Sequence, residues 1–220
     1  MFLNDIRAVF GKSGRAVYMS HLDLNRCMQR AFRRADLPIW YTEGFNPHAY
    51  IMFALALSLG YESRCEVMDF RLTEDIPFDE VKERLNNALP DGLEIISIAP
   101  PVKKHKDICC AEFEINMFCD NPHELESEFN EFVSQDKITV LKRNKKKQMI
   151  ETDLKPFIEM ISILSDDKKV TATLRLPAGT QQNFNPSLIT DAFFKISSEK
   201  LNLLKIKRNK IICTDGKDFL

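Results

Sequence analysis

The stretch SHLDLNRCMQRAFRRAD, residues 20–36, decides the first half of the fold because it has the period and the end signals of an amphipathic helix. Ser20 is a good N-cap, Asp23 follows where its carboxylate can reach back to the cap, and Pro38 prevents the helix from continuing. On a helical wheel, one arc collects the small and apolar residues Leu24, Cys27, Met28, Ala31, Phe32 and Ala35. The opposite face collects the arginines Arg26, Arg30, Arg33 and Arg34. The stretch therefore predicts a helix with a tightly packing inner face and a guanidinium outer face.

Strand-like runs stand on both sides of this helix. Runs of β-type composition predict four strands, at residues 4–10, 49–55, 65–72 and 93–98. Pro77 opens a second helix that runs through Leu89, since Phe78, Val81, Leu85 and Ala88 are spaced as one inner face. Read in order, residues 4–99 spell βαββαβ.

The order begins again after a proline-containing, charged segment. Strands are expected at 111–119, 138–141, 148–154, 157–164, 169–176, 203–206 and 211–213, and helices at 121–133 and 186–196. The sequence thus predicts an α+β protein of two tandem ferredoxin-like (βαββαβ) halves, the second with an inserted hairpin. We expect the first half at residues 1–100, a linker at 101–109 and the second half at 110–220.

The composition is that of a soluble globular protein. Hydrophobic residues make up 44% of the 220 positions and charged residues 29%, which gives disorder, collagen and coiled-coil readings no support. The net charge of -1 argues against a histone-like binder of polyanions. The first residues lack the apolar core of a signal peptide, and no run is long enough to span a bilayer. We therefore expect a cytoplasmic protein without a membrane partner.

The cysteines show no metal-binding spacing. None of the six forms a CxxC pair, and the adjacent Cys109 and Cys110 are expected to point to opposite sides of a strand. Scattered cysteines of this kind usually act as small core residues in a reducing compartment. We predict neither a metal site nor a cofactor.

Several motifs follow one another in a characteristic order. They are YMSHLDL at 18–24, RAFRRA at 30–35, LP at 37–38, EGFNPH at 43–48, TDLKP at 152–156 and NP at 185–186. Over most of its length the chain resembles the radical SAM-linked protein family, whose members occur as separate chains or fused to radical SAM proteins. The resemblance implies a radical SAM protein as partner and a link to RNA metabolism. The chain itself lacks the CxxxCxxC motif of a radical SAM enzyme.

The helix start and the loop that follows the helix form the first candidate site. A helix N-terminus offers free N–H groups and a positive dipole end, so an anion can bind there. The predicted ligand-binding residues are Ser20, His21, Glu43, Gly44, Asn46 and His48. His21, His48 and Asp23 are the candidates for acid–base catalysis. Alternatively, the serine and aspartate only cap the helix, His21 packs, and the loop only makes a turn.

Basic residues form the second candidate site. The predicted nucleic-acid-binding residues are Arg26, Arg30, Arg33, Arg34, Lys145, Lys146 and Lys147. A solvated helix face is the alternative. We expect a non-catalytic binding or adaptor module that acts with a radical SAM protein and binds RNA through the arginine face. The other hypothesis is an RNA-processing or RNA-modifying enzyme that uses His21 and His48.

Overall fold

The chain divides into two compact units, each with its own helices and strands. The computed structural model describes residues 4–143, 148–180 and 182–220. Unit 1 comprises Met1–Ile108 together with Asp215–Leu220, and unit 2 comprises Cys109–Thr214. Both units combine helices with strands, so the predicted α+β class is confirmed.

Unit 1 has the element order predicted for residues 4–99. Its elements are β1 (Asn4–Lys12), α1 (His21–Arg34), β2 (Ile51–Phe53), β3 (Glu62–Leu72), α2 (Phe78–Ala88) and β4 (Leu93–Ala99). The strands lie in the order β4-β1-β3-β2, and each neighbouring pair is antiparallel. A short 3-10 helix, Gly14–Tyr18, leads from β1 into α1.

The core of unit 1 lies between this sheet and the inner faces of its two helices. Met28 and Phe32 of α1 are fully buried, and the Phe32 ring lies 4.8 Å from that of Phe70 in β3. Burying one such side chain stabilises the fold by about 1.5–3 kcal/mol. The inner face predicted for α1 is therefore confirmed, although Cys27 at its edge is only half-buried.

The C-terminal residues return to unit 1 and cover the other face of β1. Phe219 is buried there against the guanidinium of Arg7, whose Cζ lies 4.3 Å from the ring centroid. The unit boundary at Ile108 falls inside the predicted linker 101–109, where a 3-10 helix, His105–Asp107, is present. Because this tail packs on β1, residues 215–220 belong to unit 1, whereas the sequence assigned them to the second half.

Six strands and two α-helices are present in the described residues of unit 2, and the first strand begins one residue before the unit boundary. They are β5 (Ile108–Cys119), α3 (Pro122–Ser134), β6 (Thr139–Arg143), β7 (Met149–Asp153), β8 (Glu159–Ser165), β9 (Lys169–Pro177), α4 (Ser187–Phe193) and β10 (Leu201–Cys213). Four strands lie in the order β10-β5-β9-β8, while β6 and β7 form a separate hairpin. The two closing strands predicted at 203–206 and 211–213 are one continuous strand, β10. The charged residues between them do not interrupt it, since Arg208 is buried within the strand.

The core of unit 2 contains a cluster of three phenylalanines among mainly aliphatic residues. Alternate residues of β9 are buried, as a one-sided strand requires. Phe193 of α4 lies 4.8 Å from Phe129 and 5.5 Å from Phe132, both in α3, measured between ring centroids. Among the described residues of both units, no helix has the length and apolar character needed to cross a membrane.

Candidate functional site

The start of α1 is capped as the sequence predicts. Ser20 occupies the N-cap, where its Oγ accepts a hydrogen bond from the Asp23 amide at 3.2 Å and donates one to Asp23 Oδ2 at 2.7 Å. The other carboxylate oxygen of Asp23 lies 3.5 Å from Arg26 Nη1. These local contacts occupy both side chains, which favours the capping interpretation for Ser20 and Asp23.

His21 is the first residue of α1, and its exposed ring packs on an aromatic neighbour. The ring of Phe53, the last residue of β2, meets it edge to face with the centroids 5.2 Å apart. No hydrogen bond of the His21 side chain is present within the described part of the chain. The contact joins the start of α1 to the end of β2, not to the loop that precedes β2.

The loop before β2 is closed by its own groups. An isolated β-bridge joins Tyr41 to Ala49 at its base. Nδ1 of His48 lies 3.0 Å from Thr42 Oγ1 and 3.2 Å from the carbonyl oxygen of Asn46. The His48 imidazole therefore stabilises the turn in which it lies.

The predicted ligand-binding residues of this loop are all exposed: Glu43, Gly44, Asn46 and His48. Gly44 has a φ of 124°, a conformation that side-chain-bearing residues rarely adopt. Phe45 projects entirely into solvent. The glycine thus shapes a loop that carries an exposed aromatic ring.

The structure does not bring His21 and His48 into contact. Across residues 4–143, no hydrogen bond, ion pair or ring contact links the start of α1 to residues 43–48. Within the described residues, no group of three His, Cys, Asp or Glu side chains has a spacing that suits a metal ion. The shared pocket and the catalytic roles of His21, His48 and Asp23 stay predictions.

Aromatic residues at the base of the loop pack around a single arginine. Arg71 of β3 places its Cζ 4.6 Å from the Tyr50 ring centroid and 5.3 Å from that of Trp40. The same guanidinium pairs with the carboxylate of Asp5 in β1, and this hydrogen bond raises the pKa of Arg71. Trp40 is therefore packed against unit 1 rather than presented for stacking on a base.

The outer face of α1 is exposed as predicted, but its arginines differ in their partners. Arg26, Arg30 and Arg33 are exposed. Arg26 Nη1 lies 3.5 Å from Asp23 Oδ1, its one polar contact within the described residues, and Arg33 Nε donates to the Tyr41 hydroxyl at 3.3 Å. Arg30 has no hydrogen bond to any described residue. We call these three residues the arginine stripe.

Arg34 has a structural role instead. Its Nε and Nη2 both donate to the carbonyl oxygen of Ala88, the last residue of α2, at 3.2 and 2.6 Å. In return, Arg84 of α2 donates to the carbonyl of Ala35 at the end of α1. Each arginine thus caps the negative end of the other helix. The remaining predicted nucleic-acid residues, Lys145, Lys146 and Lys147, lie outside the described residues.

A partly buried ion-pair cluster in unit 1 was not predicted from the sequence. Arg7 donates to both carboxylate oxygens of Asp69, at 2.8 and 2.9 Å, and to the carbonyl of Lys103 at 3.0 Å. His105 Nε2 lies 2.8 Å from Asp69 Oδ2. Burial by itself raises the pKa of Asp69, but hydrogen bonds and charges of Arg7 and His105 outweigh it and hold the pKa below its usual value. Its members are too distant in sequence to form a motif.

Cavities in the described part of unit 2 were not indicated by the sequence, and two of them concern the residues discussed below. A cleft of about 490 Å³ lies between the end of α3, β6 and α4, and its lining includes Phe132, Leu141, Glu151, Asp191, Lys195 and Ile196. A second cavity of about 260 Å³ is lined by both Cys109 and Cys110, whose Sγ atoms lie 3.6 Å apart. The prediction that these cysteines point to opposite sides is wrong. They stand at the start of β5, where its ladder with β9 ends at the pair of Cys110 with Pro177, so regular alternation does not hold there.

Comparison with known proteins gives one match to a sequence family. The family described as "Uncharacterized protein conserved in bacteria (DUF2344)" matches residues 5–186. No curated protein matches the chain.

Among the solved structures that match the chain, two show how distant the similarity is. The first, titled "Crystal Structure of a Cbf5-Nop10-Gar1 Complex", is 9% identical with a TM-score of 0.48, and the match covers 94% of this chain and 48% of that chain. This chain therefore spans about half the length of the chain it matches there. The second, titled "Crystal Structure of an Unknown Protein from Galdieria sulphuraria", is 10% identical with a TM-score of 0.27, covering 94% of this chain and 99% of the other.

Proposed function

This chain belongs to the DUF2344 family of uncharacterized proteins conserved in bacteria, and we propose that it is a cytoplasmic, non-catalytic binding module that holds RNA on the arginine stripe of α1. The observation that carries the proposal is the exposure of Arg26, Arg30 and Arg33 on one helix face, with Arg30 free of any hydrogen bond to the described residues. A radical SAM protein is its proposed partner.

The spacing of the stripe suits a phosphate backbone. Positions 26, 30 and 33 follow one another at i, i+4 and i+7, so their side chains project from one side of α1. At about 1.5 Å per residue they extend over roughly 10 Å of the helix axis. Guanidinium groups bind phosphate oxygens in pairs, and a row of them follows a strand better than one isolated charge does.

Aromatic groups near the stripe favour a single-stranded ligand. Tyr41 accepts the hydrogen bond from Arg33, and more than a third of its surface is exposed. Unpaired bases stack on aromatic side chains, whereas a duplex keeps its bases inside. A single strand that places phosphates on the stripe and a base on Tyr41 uses both features.

The partner assignment rests on the resemblance of residues 18–24, 30–35 and 43–48 to the radical SAM-linked protein family. It is tested by mixing the purified chain with radical SAM proteins from the same organism and measuring co-elution on a sizing column. Separate elution at micromolar concentrations removes this part of the proposal.

We further infer that each unit is a ferredoxin-like half. The order βαββαβ and the strand order β4-β1-β3-β2 support this for unit 1. Once the hairpin β6–β7 is set aside, unit 2 also reads βαββαβ, and its order β10-β5-β9-β8 repeats that of unit 1 position by position. The hairpin then counts as an insertion between α3 and β8.

RNA binding is tested by charge reversal in the stripe. We expect Arg30→Glu/Arg33→Glu to weaken binding of a single-stranded RNA of about 20 nucleotides by about tenfold or more, measured by fluorescence anisotropy. The slope of log affinity against log salt is expected to fall in magnitude by about 1.4, since each phosphate contact on a single strand contributes about 0.7.

The matched control is Arg64→Glu/Lys137→Glu, which makes the same change in net charge at two exposed positions outside α1. Equal losses in the two double variants indicate general electrostatic attraction and contradict a defined interface. Unchanged binding by the stripe variant removes RNA from the proposal.

The enzyme hypothesis predicts a different result. Cleaved or modified RNA that disappears with His21→Ala or His48→Ala supports catalysis. RNA that is recovered intact, with the two histidine variants binding as the unmodified chain does, supports the binding module. No contact in the described residues joins the two imidazoles, so we expect the second result.

A further inference from the structure

The beginning of β5 holds two thiols side by side. Cys109 and Cys110 are both half-buried, and their Sγ atoms are 3.6 Å apart. Cys109 Sγ also lies 3.5 Å from the carbonyl oxygen of Ile212 in β10, which fixes the side of β5 on which this thiol lies. The pair is therefore an ordered feature of unit 2.

Both cysteines line the same cavity of about 260 Å³. Its walls combine the apolar residues Phe157, Ile158 and Leu176 with the charged residues Glu159 and Arg175. The cation of the cavity, Arg175, already pairs with Glu112 and Glu159, each at 3.2 Å. The charges of the cavity largely compensate one another, and the thiols remain as its soft donor atoms.

The separation of the two sulfur atoms suits coordination of one ion by both. At a metal–sulfur distance of about 2.3 Å, two thiolates of a tetrahedral centre are about 3.8 Å apart, close to the separation observed. Within the described residues, no third His, Cys, Asp or Glu completes a metal-binding group. The pair thus suits an ion that binds both sulfurs at roughly the tetrahedral angle and brings its own further group into the cavity.

We propose that Cys109 and Cys110 form a bidentate site for a soft, thiophilic ion, of which monovalent copper and trivalent arsenic are the two candidates. Sulfur ligands select soft ions over magnesium, calcium or manganese. An arsenical with one organic group exchanges its oxygen for both thiols, which releases one water molecule and leaves the arsenic bound to two sulfurs. Copper(I) displaces the two thiol protons. Neither exchange changes the oxidation state of the ion or of the sulfur.

The closeness of the two sulfur atoms favours reagents that bond to both of them. Such a reagent gains from their proximity once the first bond has formed.

The test uses phenylarsine oxide as the probe on the intact chain. We expect one phenylarsenic group per chain by native mass spectrometry and loss of two of the six titratable thiols, leaving four. Cys109→Ser and Cys110→Ser are each expected to weaken binding by about 100-fold or more, because the intramolecular second bond is lost. The matched control is Cys27→Ser, which removes the other half-buried cysteine and is expected to bind as the unmodified chain does.

A second measurement does not depend on the variants folding. The unmodified chain is treated with phenylarsine oxide, alkylated after denaturation, digested and mapped. Protection of the peptide that contains Cys109 and Cys110 supports the site, whereas protection elsewhere, or none, overturns it.

The identity of the ion is resolved by competition against chromophoric chelators for copper(I), with zinc(II) measured alongside. Tighter binding of copper(I) than of zinc(II) assigns the site to copper, and binding of the arsenical alone assigns it to arsenic. Tighter binding of zinc(II), or no binding of any ion, overturns the assignment to a soft ion.

Discussion

Arg7 and Arg30 both lie in unit 1, in regions that use the same side chain in opposite ways. Arg7 is 5% exposed, and two carboxylate oxygens and one carbonyl accept hydrogen bonds from it while Phe219 covers its face. Arg30 is exposed and finds no acceptor among the described residues. A guanidinium whose donors are satisfied within the fold stabilises it, and one whose donors face water is available to a ligand.

The difference follows from the cost of burying charge. Removing an arginine and a carboxylate from water costs several kcal/mol for each ion, and close hydrogen-bonded pairing offsets that cost. Deleting one partner of such a pair leaves the other charge buried alone. No such penalty exists at an exposed position. Substitutions around Arg7 are therefore expected to change stability, and substitutions around Arg30 are expected to change ligand binding.

The largest expected effect is on the buried region. We expect Arg7→Ala to lower the free energy of unfolding by about 3 kcal/mol, toward the lower end for a buried pair, because the partly buried Asp69 then keeps only His105 as a charged partner. Urea denaturation followed by circular dichroism measures the change. Arg30→Ala serves as control and is expected to stay within about 0.5 kcal/mol of the unmodified chain.

Equal losses in Arg7→Ala and Arg30→Ala contradict the distinction between the two regions. A double-mutant cycle of Arg7→Ala with Asp69→Asn sharpens it, since two residues in direct contact are expected to give non-additive changes.

A smaller effect is expected from acid. The pKa of Asp69 is lower in the folded chain than its usual value of 3.8, so the unfolded chain binds its proton more readily. The stability that this carboxylate contributes is therefore complete above its unfolded pKa and is lost as the pH falls through the folded value. The loss is smaller than that in Arg7→Ala, because a protonated Asp69 still accepts hydrogen bonds.

The measurement is urea denaturation repeated between neutral pH and about pH 3. The difference in unfolding free energy between the unmodified chain and Asp69→Asn is expected to shrink toward the acid end. A difference that stays constant with pH, or grows in acid, contradicts the ion pair. Other carboxylates whose pKa values are lowered, such as Glu114, titrate in both chains and cancel in the comparison.

The sequence predicted local features well. The helix at 20–36, its Ser20 cap and the exposed arginines depend on residues within a few turns of one another, and the structure contains all of them. The element order of residues 4–99 was predictable for the same reason, since period and turn signals are local.

Long-range pairing was beyond sequence reasoning. Arg7 meets Asp69 across 62 positions and the Lys103 carbonyl across 96, and no local signal marks any of the three. The return of residues 215–220 to unit 1 was also not predictable from the sequence. Phe219 is buried against β1, which is more than 200 residues away in the chain.

The candidate site was predicted in part. Exposure of α1 and of the loop follows from residue type, but the partners of each side chain do not. In the helical pattern Arg34 lies on the same face as Arg30. In the structure its guanidinium instead caps α2, because the carbonyl oxygen of Ala88 at the end of α2 lies within hydrogen-bond distance. Successive side chains point to opposite faces inside a regular strand, but this alternation does not hold at the first residues of β5. The thiols of Cys109 and Cys110 therefore lie close together.

The smallest expected effect concerns the helix that carries the stripe. We expect Ser20→Ala to lower the free energy of unfolding by about 1 kcal/mol, since the Asp23 amide loses its capping acceptor. If RNA binds only the stripe, which begins at Arg26, its affinity is expected to stay within about twofold, as measured by anisotropy. Ser20→Asp, which keeps a capping oxygen, is expected to restore most of the stability. If Ser20→Ala loses affinity and Ser20→Asp does not restore it, the ligand binds at the start of α1. The start of α1 would then be a binding region in addition to the arginine stripe around Arg30.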